Sequence, residues 1–383
     1  MRTEGNGMRR LGLYLHIPFC KSKCLYCDFC SLPNADEERM ERYAEALCRS
    51  LVGWKDACAE YTVDTVYLGG GTPTALPTRA LERILETVFS CYHVLQKAEI
   101  TAECNPATAS REAFSRLRRA GLNRLSIGLQ SAHETELRAL GRLHDFSSFQ
   151  RTWEDARAAG FENLSADVMF GIPHQTVERY LETLEKLCDL SPEHVSAYGL
   201  TVEEGTPFWR LSQRGALVLP DEEETRRMYL DGIRYLASRG LAQYEISNFA
   251  RGGYESRHNL KYWNCEEYLG FGVAAHSDFG GARFGNSRDL PAFLAGGAIE
   301  EERETPSERE RANEYVMLRM RLRNGVSASA FDERFGGGFE ASFGAALQKY
   351  LPMGLVERRG DGYAFTPEGM YVSNAILSEI LDF

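Results

Sequence analysis

Along the first two hundred residues, short runs that are apolar on both faces alternate with longer amphipathic segments. The short runs are residues 11–17, 63–68, 99–103, 124–129, 164–169 and 195–200. A strand covered on both faces loses in-out alternation, so these runs read as strands of a buried parallel sheet. The segments between them, 37–57, 78–89, 111–119, 133–140, 148–159 and 176–190, carry helical periodicity. Six βα units in series predict an α/β fold, with the sheet doubly wound or curled into an incomplete (β/α)6 barrel. In both arrangements ligands collect at the C-terminal ends of the strands.

Beyond Pro220 the pattern changes. Asp221-Glu222-Glu223-Glu224 reads as an acidic helix start, matched to the positive end of the helix dipole. Residues 244–249 and 258–263 are irregular, 269–277 is a glycine-rich strand or loop, and 300–310 is a charged stretch with Pro306 that reads as a linker. The tail begins near Thr305 with a helix over 308–322 and two shorter helical pieces. A hairpin follows, 354–359 and 363–365 about Gly360-Asp361-Gly362. The expected units are a barrel at 1–215, an extension at 216–304 and a small helical, winged-helix-like domain at 305–383.

Composition narrows the function. Hydrophobic residues make 43% of the 383 and charged residues 26%, as in globular proteins, and the formal net charge is −11. An acidic balance opposes nucleic acid and allows at most peripheral contact with an anionic membrane. The tail is acidic too, with nine Lys and Arg against eleven Asp and Glu, so a lid or docking surface is expected there rather than a DNA reader. No apolar run is long enough to span a bilayer, and Met1 to Arg10 lacks the apolar core of a signal peptide. Ten scattered cysteines suit a reducing cytoplasm, so a cytoplasmic location is expected. Cys48, Cys58, Cys91, Cys104, Cys188 and Cys265 read as small buried residues.

Three cysteines stand apart. Cys20, Cys24 and Cys27 follow the first strand at C-x3-C-x2-C spacing. Three thiolates can hold three irons of a [4Fe-4S] cluster and leave one iron open to a small ligand. Free thiols or a zinc site are the plainer readings, though zinc sites usually pair two C-x2-C units and no second unit is present. Cys30 lies close enough in sequence to join them. Other special residues also follow strands. Gly69-Gly70-Gly71-Thr72-Pro73 follows the second, where missing Cβ atoms let backbone amides and carbonyls approach a ligand and Thr72 adds a hydroxyl. Glu103 ends the third strand and Asp167 lies within the fifth, and both need a partner in apolar surroundings. Gln130 ends the fourth and offers a neutral amide, while Arg142 offers a partner for a carboxylate.

The cysteine spacing, with Tyr26 before the last cysteine, resembles the signature of radical S-adenosylmethionine (SAM) enzymes. Members hold SAM on the open iron and generate a 5'-deoxyadenosyl radical from it. The resemblance favours the incomplete barrel and extends from Tyr14 to about His276, with a similar tail. It narrows to the oxygen-independent coproporphyrinogen III dehydrogenase-like family. By motif position it implies SAM contacts at Tyr14, Tyr26, Gly70, Gly71, Thr72, Glu103, Gln130, Arg142 and Asp167. The family precedent includes a second SAM touching Tyr26, Gln130, Arg142 and Asp167. The family also holds shorter, HemW-type haem chaperones. Nineteen residues before Cys20, Phe29 where the dehydrogenases carry a fourth cysteine, and His258-Asn259-Leu260-Lys261-Tyr262-Trp263, which matches H-N-x-x-Y-W, all lean that way. An imidazole can ligate haem iron and aromatic rings can pack on a porphyrin, which makes His258 the candidate haem ligand and His276 a lesser one. The implied partners are SAM, haem and recipient haemoproteins, with homodimerisation open. The alternative is oxidative decarboxylation of coproporphyrinogen III.

Overall fold

The computed structural model describes residues 8–297 and 299–381. Residues 1–7 of the polar N-terminal stretch lie outside the described residues. The six expected strands all form: β1 (Arg9–Ile17), β2 (Tyr61–Gly70), β3 (His93–Cys104), β4 (Arg124–Gln130), β5 (Asn163–Phe170) and β6 (His194–Gly199). Each pairs in parallel with the next, so the sheet begins in chain order. The crossover helices are α1 (Glu37–Trp54), α2 (Thr78–Cys91), α3 (Arg111–Arg119), α4 (Glu134–Ala139), α5 (Phe146–Ala158) and α6 (Val177–Cys188). β4 is buried along its whole length, as a strand covered on both faces should be. Helices start where the side chains can cap them, with Asp36, Ser110, Asp145 and Thr176 accepting from free backbone N–H groups.

After α7 (Pro207–Gln213) and α8 (Glu222–Ser238) the chain adds both margins of the sheet. The acidic start of α8 is a capping box between Asp221 and Glu224. At one margin β8 (Asn248–Ala250) pairs antiparallel with β6, and β7 (Ala242–Gln243) pairs antiparallel with β8. The helix α9 (Arg257–Trp263) then carries the H-N-x-x-Y-W motif to the other side. β9 (Tyr268–Phe271) joins β1 as a seventh parallel strand, and β10 (His276–Phe279), β11 (Ala282–Asn286) and β12 (Glu300–Glu304) follow antiparallel. The order is β12-β11-β10-β9-β1-β2-β3-β4-β5-β6-β8-β7, an open sheet and so an incomplete barrel.

One expectation of the fold changes. Residues 300–304 are a strand, not a linker: β12 pairs with β11 although all five side chains are exposed. A wholly exposed edge strand leaves no apolar alternation to read, and its glutamates discourage further pairing. The stretch 269–277 is both strand and loop: Leu13↔Leu269 pairing fixes β9 against β1, and residues 272–275 turn the chain into β10. The tail has its helix at Glu308–Met320 and its hairpin at Val356–Arg359 and Gly362–Phe365. It is tied to the sheet region where Arg323 N donates to Tyr244 O (3.0 Å). No helix among the described residues is long and apolar enough to cross a membrane.

Candidate functional site

The C-terminal ends of β1 to β6 open onto a cavity of about 540 Å³, within the usual range for a small-molecule site. Cys20, Cys24 and Cys27 line one side of it. Their loop is held from within by Cys27 N donating to Cys24 O (3.3 Å) and from outside by Leu25 N donating to Leu140 O (3.0 Å). Phe208 N, in α7, donates to Leu25 O (3.1 Å). Arg142 Nη1 approaches Cys24 Sγ at 3.4 Å, and the Thr72 hydroxyl lies 3.5 Å from Cys20 Sγ. Burial pushes the Cys20 and Cys27 thiols up. Among the described residues no three metal-binding side chains already stand close enough together to hold a metal ion. A cluster needs one thiolate on each of three irons, and the donor set fits it. Cys30 is not part of the cavity wall; its carbonyl accepts from His16 Nε2 (2.9 Å).

The glycines serve in a different way from the one the sequence implied. Gly71 N and Thr72 N are spent on Ile17 O (2.8 Å) and Phe19 O (2.7 Å), and Gly70 N on Glu103 Oε2 (3.2 Å). The amides therefore brace the wall rather than await a ligand. What the segment contributes is space: a Cβ on Gly71 would lie 2.8 Å from both carbonyls, and one on Gly70, at φ +104, would strike the His16 ring.

Glu103 and Asp167 line the same cavity. Burial, with Asp167 nearby, pushes Glu103 up to about 7, and burial also raises Asp167. Tyr67 donates to Glu103 Oε1 (2.9 Å) and Ser126 to Asp167 Oδ1 (3.0 Å). Two desolvated carboxyls on one cavity favour a ligand that brings positive charge. Gln130 accepts from Tyr198 (2.9 Å) and holds φ +65, a strained value for a non-glycine that persists only when its surroundings impose it. Arg142 Nη2 donates to Asn105 Oδ1 (2.6 Å) and Gly128 O (3.0 Å), while its buried Nε has no partner. Asn105 donates in turn to Thr72 (2.7 Å), so the thiol side and the strand ends are braced together.

Cys20, Cys24, Cys27, Tyr26, Gly70, Gly71, Thr72, Glu103, Gln130, Arg142 and Asp167 thus meet on one cavity. Tyr14 stands behind its wall, stacked on Tyr67 at 6.3 Å. His258 is fully buried on α9 and does not line the cavity, although its neighbour Asn259 does. Its Nδ1 lies 2.8 Å from the Thr65 hydroxyl and its Nε2 2.9 Å from the Tyr262 hydroxyl. Burial, with Lys261 and Arg124 nearby, lowers its pKa to about 3, so the ring is neutral. His276 is exposed and also off the cavity wall. Sequence reasoning overlooked Tyr67 and Arg124. Both sit in apolar strand runs, and the only signal was a polar group recurring on the cavity face of successive strands.

Comparison with known proteins decides the family. Residues 14–187 match the radical SAM superfamily and residues 307–372 the HemN C-terminal domain. The chain is 34% identical over 377 residues to "Heme chaperone HemW" of Bacillus subtilis (strain 168), covering 96% of this chain and 98% of that protein. The chain belongs to the HemW family of radical SAM proteins. Another protein of that name, from Escherichia coli (strain K12), is 32% identical over 376 residues, covering 97% of this chain and 98% of the relative. The solved structure of coproporphyrinogen III oxidase (HemN) from Escherichia coli, a radical SAM enzyme, superposes with a TM-score of 0.84. It covers 98% of this chain and 91% of that one at 23% identity, a likeness of fold alone. The radical SAM superfamily implies a [4Fe-4S] cluster and SAM. For a HemW family member, the three thiols, the carboxyl pair and the bracing Arg142 stand where the fold collects its chemistry.

Proposed function

We propose that this chain holds a [4Fe-4S] cluster on the thiolates of Cys20, Cys24 and Cys27, binds SAM between that cluster and the Glu103–Asp167 pair, and carries haem for delivery to haemoproteins. The observation that carries the reading is one cavity lined both by three thiols and by two carboxyls whose surroundings desolvate them. SAM is a sulfonium cation that also bears an ammonium and a carboxylate. Its positive charge suits Glu103 and Asp167, and the unpartnered Nε of Arg142 suits its carboxylate. Gln130 and Tyr26 complete the polar and aromatic surroundings. A bound cluster, given one electron by a reductant, would supply the means to cleave bound SAM to methionine and a 5'-deoxyadenosyl radical. The chain would present three thiolates, sets Arg142 against Cys24 and lines the cavity with the two carboxyls.

Haem delivery rests on full-length similarity to relatives named haem chaperones. The H-N-x-x-Y-W motif is the family's pointer to the haem site. Ligation by His258 requires its imidazole to leave Thr65 or Tyr262, since an axial ligand needs a free ring nitrogen. The place of action is the cytoplasm, with recipient haemoproteins as partners.

The test is anaerobic. The chain is reconstituted with iron and sulfide, supplied with SAM, a reductant and coproporphyrinogen III, and followed by chromatography, while haem is titrated through its Soret band. Stoichiometric haem binding without a divinyl product is expected. Turnover to that product would instead establish a coproporphyrinogen dehydrogenase.

A further inference from the structure

The H-N-x-x-Y-W motif does something in this fold that haem does not explain. The helix α9 packs under the sheet, at the end away from the cysteines. Glu99, in β3, accepts from the N-terminal amides Arg257 N (3.1 Å) and His258 N (3.0 Å). Lys261, only 2% exposed, pairs with Asp64 (2.8 Å) and Glu266 (3.2 Å). The fit against β1 is close: a Cβ on Gly12 would lie 2.8 Å from Lys261 Cδ, 3.0 Å from Thr65 Oγ1 and 3.3 Å from the His258 ring. The seat of the helix was therefore made by omitting a side chain from β1.

From this seat a continuous set of contacts runs upward. The His258 ring, held at both nitrogens, stacks on the Tyr67 ring at 5.3 Å between centroids and 24° between planes. Tyr14 stacks on both, at 6.3 Å from Tyr67 and 6.5 Å from His258. Tyr67 is thereby fixed in the direction that lets its hydroxyl donate to Glu103 Oε1 at 2.9 Å. Gly69 leaves room for this pair, since a Cβ there would lie 2.8 Å from the Tyr67 ring and 3.1 Å from Glu103 Oε1. Glu103 in turn receives Gly70 N at 3.2 Å, so the same carboxylate braces the glycine wall.

We infer that His258 and Tyr67 are positioning residues for Glu103, so that the H-N-x-x-Y-W helix sets the SAM side of the cavity from beneath the sheet. The inference rests on the reading that SAM binds at Glu103. His258 touches no ligand in it. The imidazole is a two-ended strut, hydrogen-bonded to Thr65 and Tyr262, whose face fixes the ring that orients the carboxylate.

The experiment uses the full chain with its cluster reconstituted and measures labelled SAM by equilibrium dialysis, with cluster content and melting temperature as controls and haem titrated separately. Tyr67→Phe removes one hydroxyl and keeps the stack. His258→Ala removes the strut, and His258→Phe restores a ring face. Because the Tyr67 hydrogen bond holds the carboxyl that SAM would meet, Tyr67→Phe and His258→Ala are each expected to weaken SAM binding about tenfold, with haem affinity unchanged in Tyr67→Phe and SAM affinity of His258→Phe within about threefold of wild type. SAM affinity unchanged in Tyr67→Phe would overturn the inference, and that variant decides alone if His258→Ala fails to fold. Loss of haem binding in His258→Ala with SAM binding intact would overturn it, as would a His258→Phe as weak as the alanine variant. A wild-type chain that binds no SAM would overturn the SAM reading itself and this inference with it.

Discussion

The two ends of the parallel sheet handle polar groups in opposite ways. At the C-terminal ends, Glu103 and Asp167 share a cavity wall, Arg142 keeps an unpartnered Nε, and three thiols stand half-buried. At the other end, Lys261 has two carboxylates, Glu99 accepts two helix amides, and His258 has a hydroxyl at each ring nitrogen. Both ends bury charge. One leaves part of its hydrogen-bonding capacity for a ligand, and the other spends it on holding α9. A site can be told from a clamp by where the partners are missing, rather than by how polar it is.

Removing the thiols should show the largest effect. Cys24→Ser with Cys27→Ser should abolish cluster binding, read as lost visible absorbance after reconstitution, while melting changes little because the loop keeps its backbone anchors at Leu140 and Phe208. At the clamped end, Lys261→Met should destabilise by about 3 kcal/mol, because it leaves buried Asp64 with only the more distant, exposed Arg10 at 3.9 Å. Calorimetry showing less than about 1 kcal/mol would mean that the lower end is no clamp.

The carboxyl pair offers a pH readout. Glu103 is raised from 4.5 to about 7 in the folded chain, so it stays protonated where the unfolded chain has already released the proton. The Glu103 contribution to ligand-free stability should therefore fall as pH rises from about 4.5 to about 7, against a rise up to about pH 6.5 from histidines buried neutral, His258 and His144 among them, so the comparison of wild type with Glu103→Gln isolates it. Glu245, also pushed up to about 7 by burial, adds a slope of the same sign. Glu103→Gln should remove only its own share of the slope. SAM, as a cation, should flatten that share in wild type and not in the variant; denaturant midpoints at four or five pH values would settle it. Gly71→Ala should then reduce SAM affinity about tenfold, about 1.4 kcal/mol, because the new methyl meets two backbone carbonyls. The smallest effect belongs to neither end. Arg138→Ala breaks an exposed helical pair with Glu134 and should cost about 0.3–0.5 kcal/mol, a baseline for the other changes.

Much of this arrangement was legible before any coordinates. The six strand runs were readable because a covered parallel strand is apolar throughout, and α8 because its cap is local. The cysteine spacing and the residues after each strand pointed to one end of the sheet, since the connectivity of βα units places every strand's C-terminus on the same side. β12 was illegible because an exposed edge pairs through backbone alone. The use of the Gly70, Gly71 and Thr72 amides was illegible because their acceptors, Ile17, Phe19 and Glu103, come from other strands and loops.

By itself, then, the sequence determined what depends on spacing along the chain: the periodicities, the caps, the three thiols within one loop. The tertiary structure decided what depends on distance through space. Tyr67 reaches a carboxylate 36 residues on, and His258 meets a hydroxyl 193 residues back. Nothing local distinguishes a tyrosine that fills a core from one that aims a carboxylate, or a histidine free to ligate from one held at both nitrogens. Hydrogen-bond partners are assigned by packing, and packing brings together segments whose separation in sequence carries no signal.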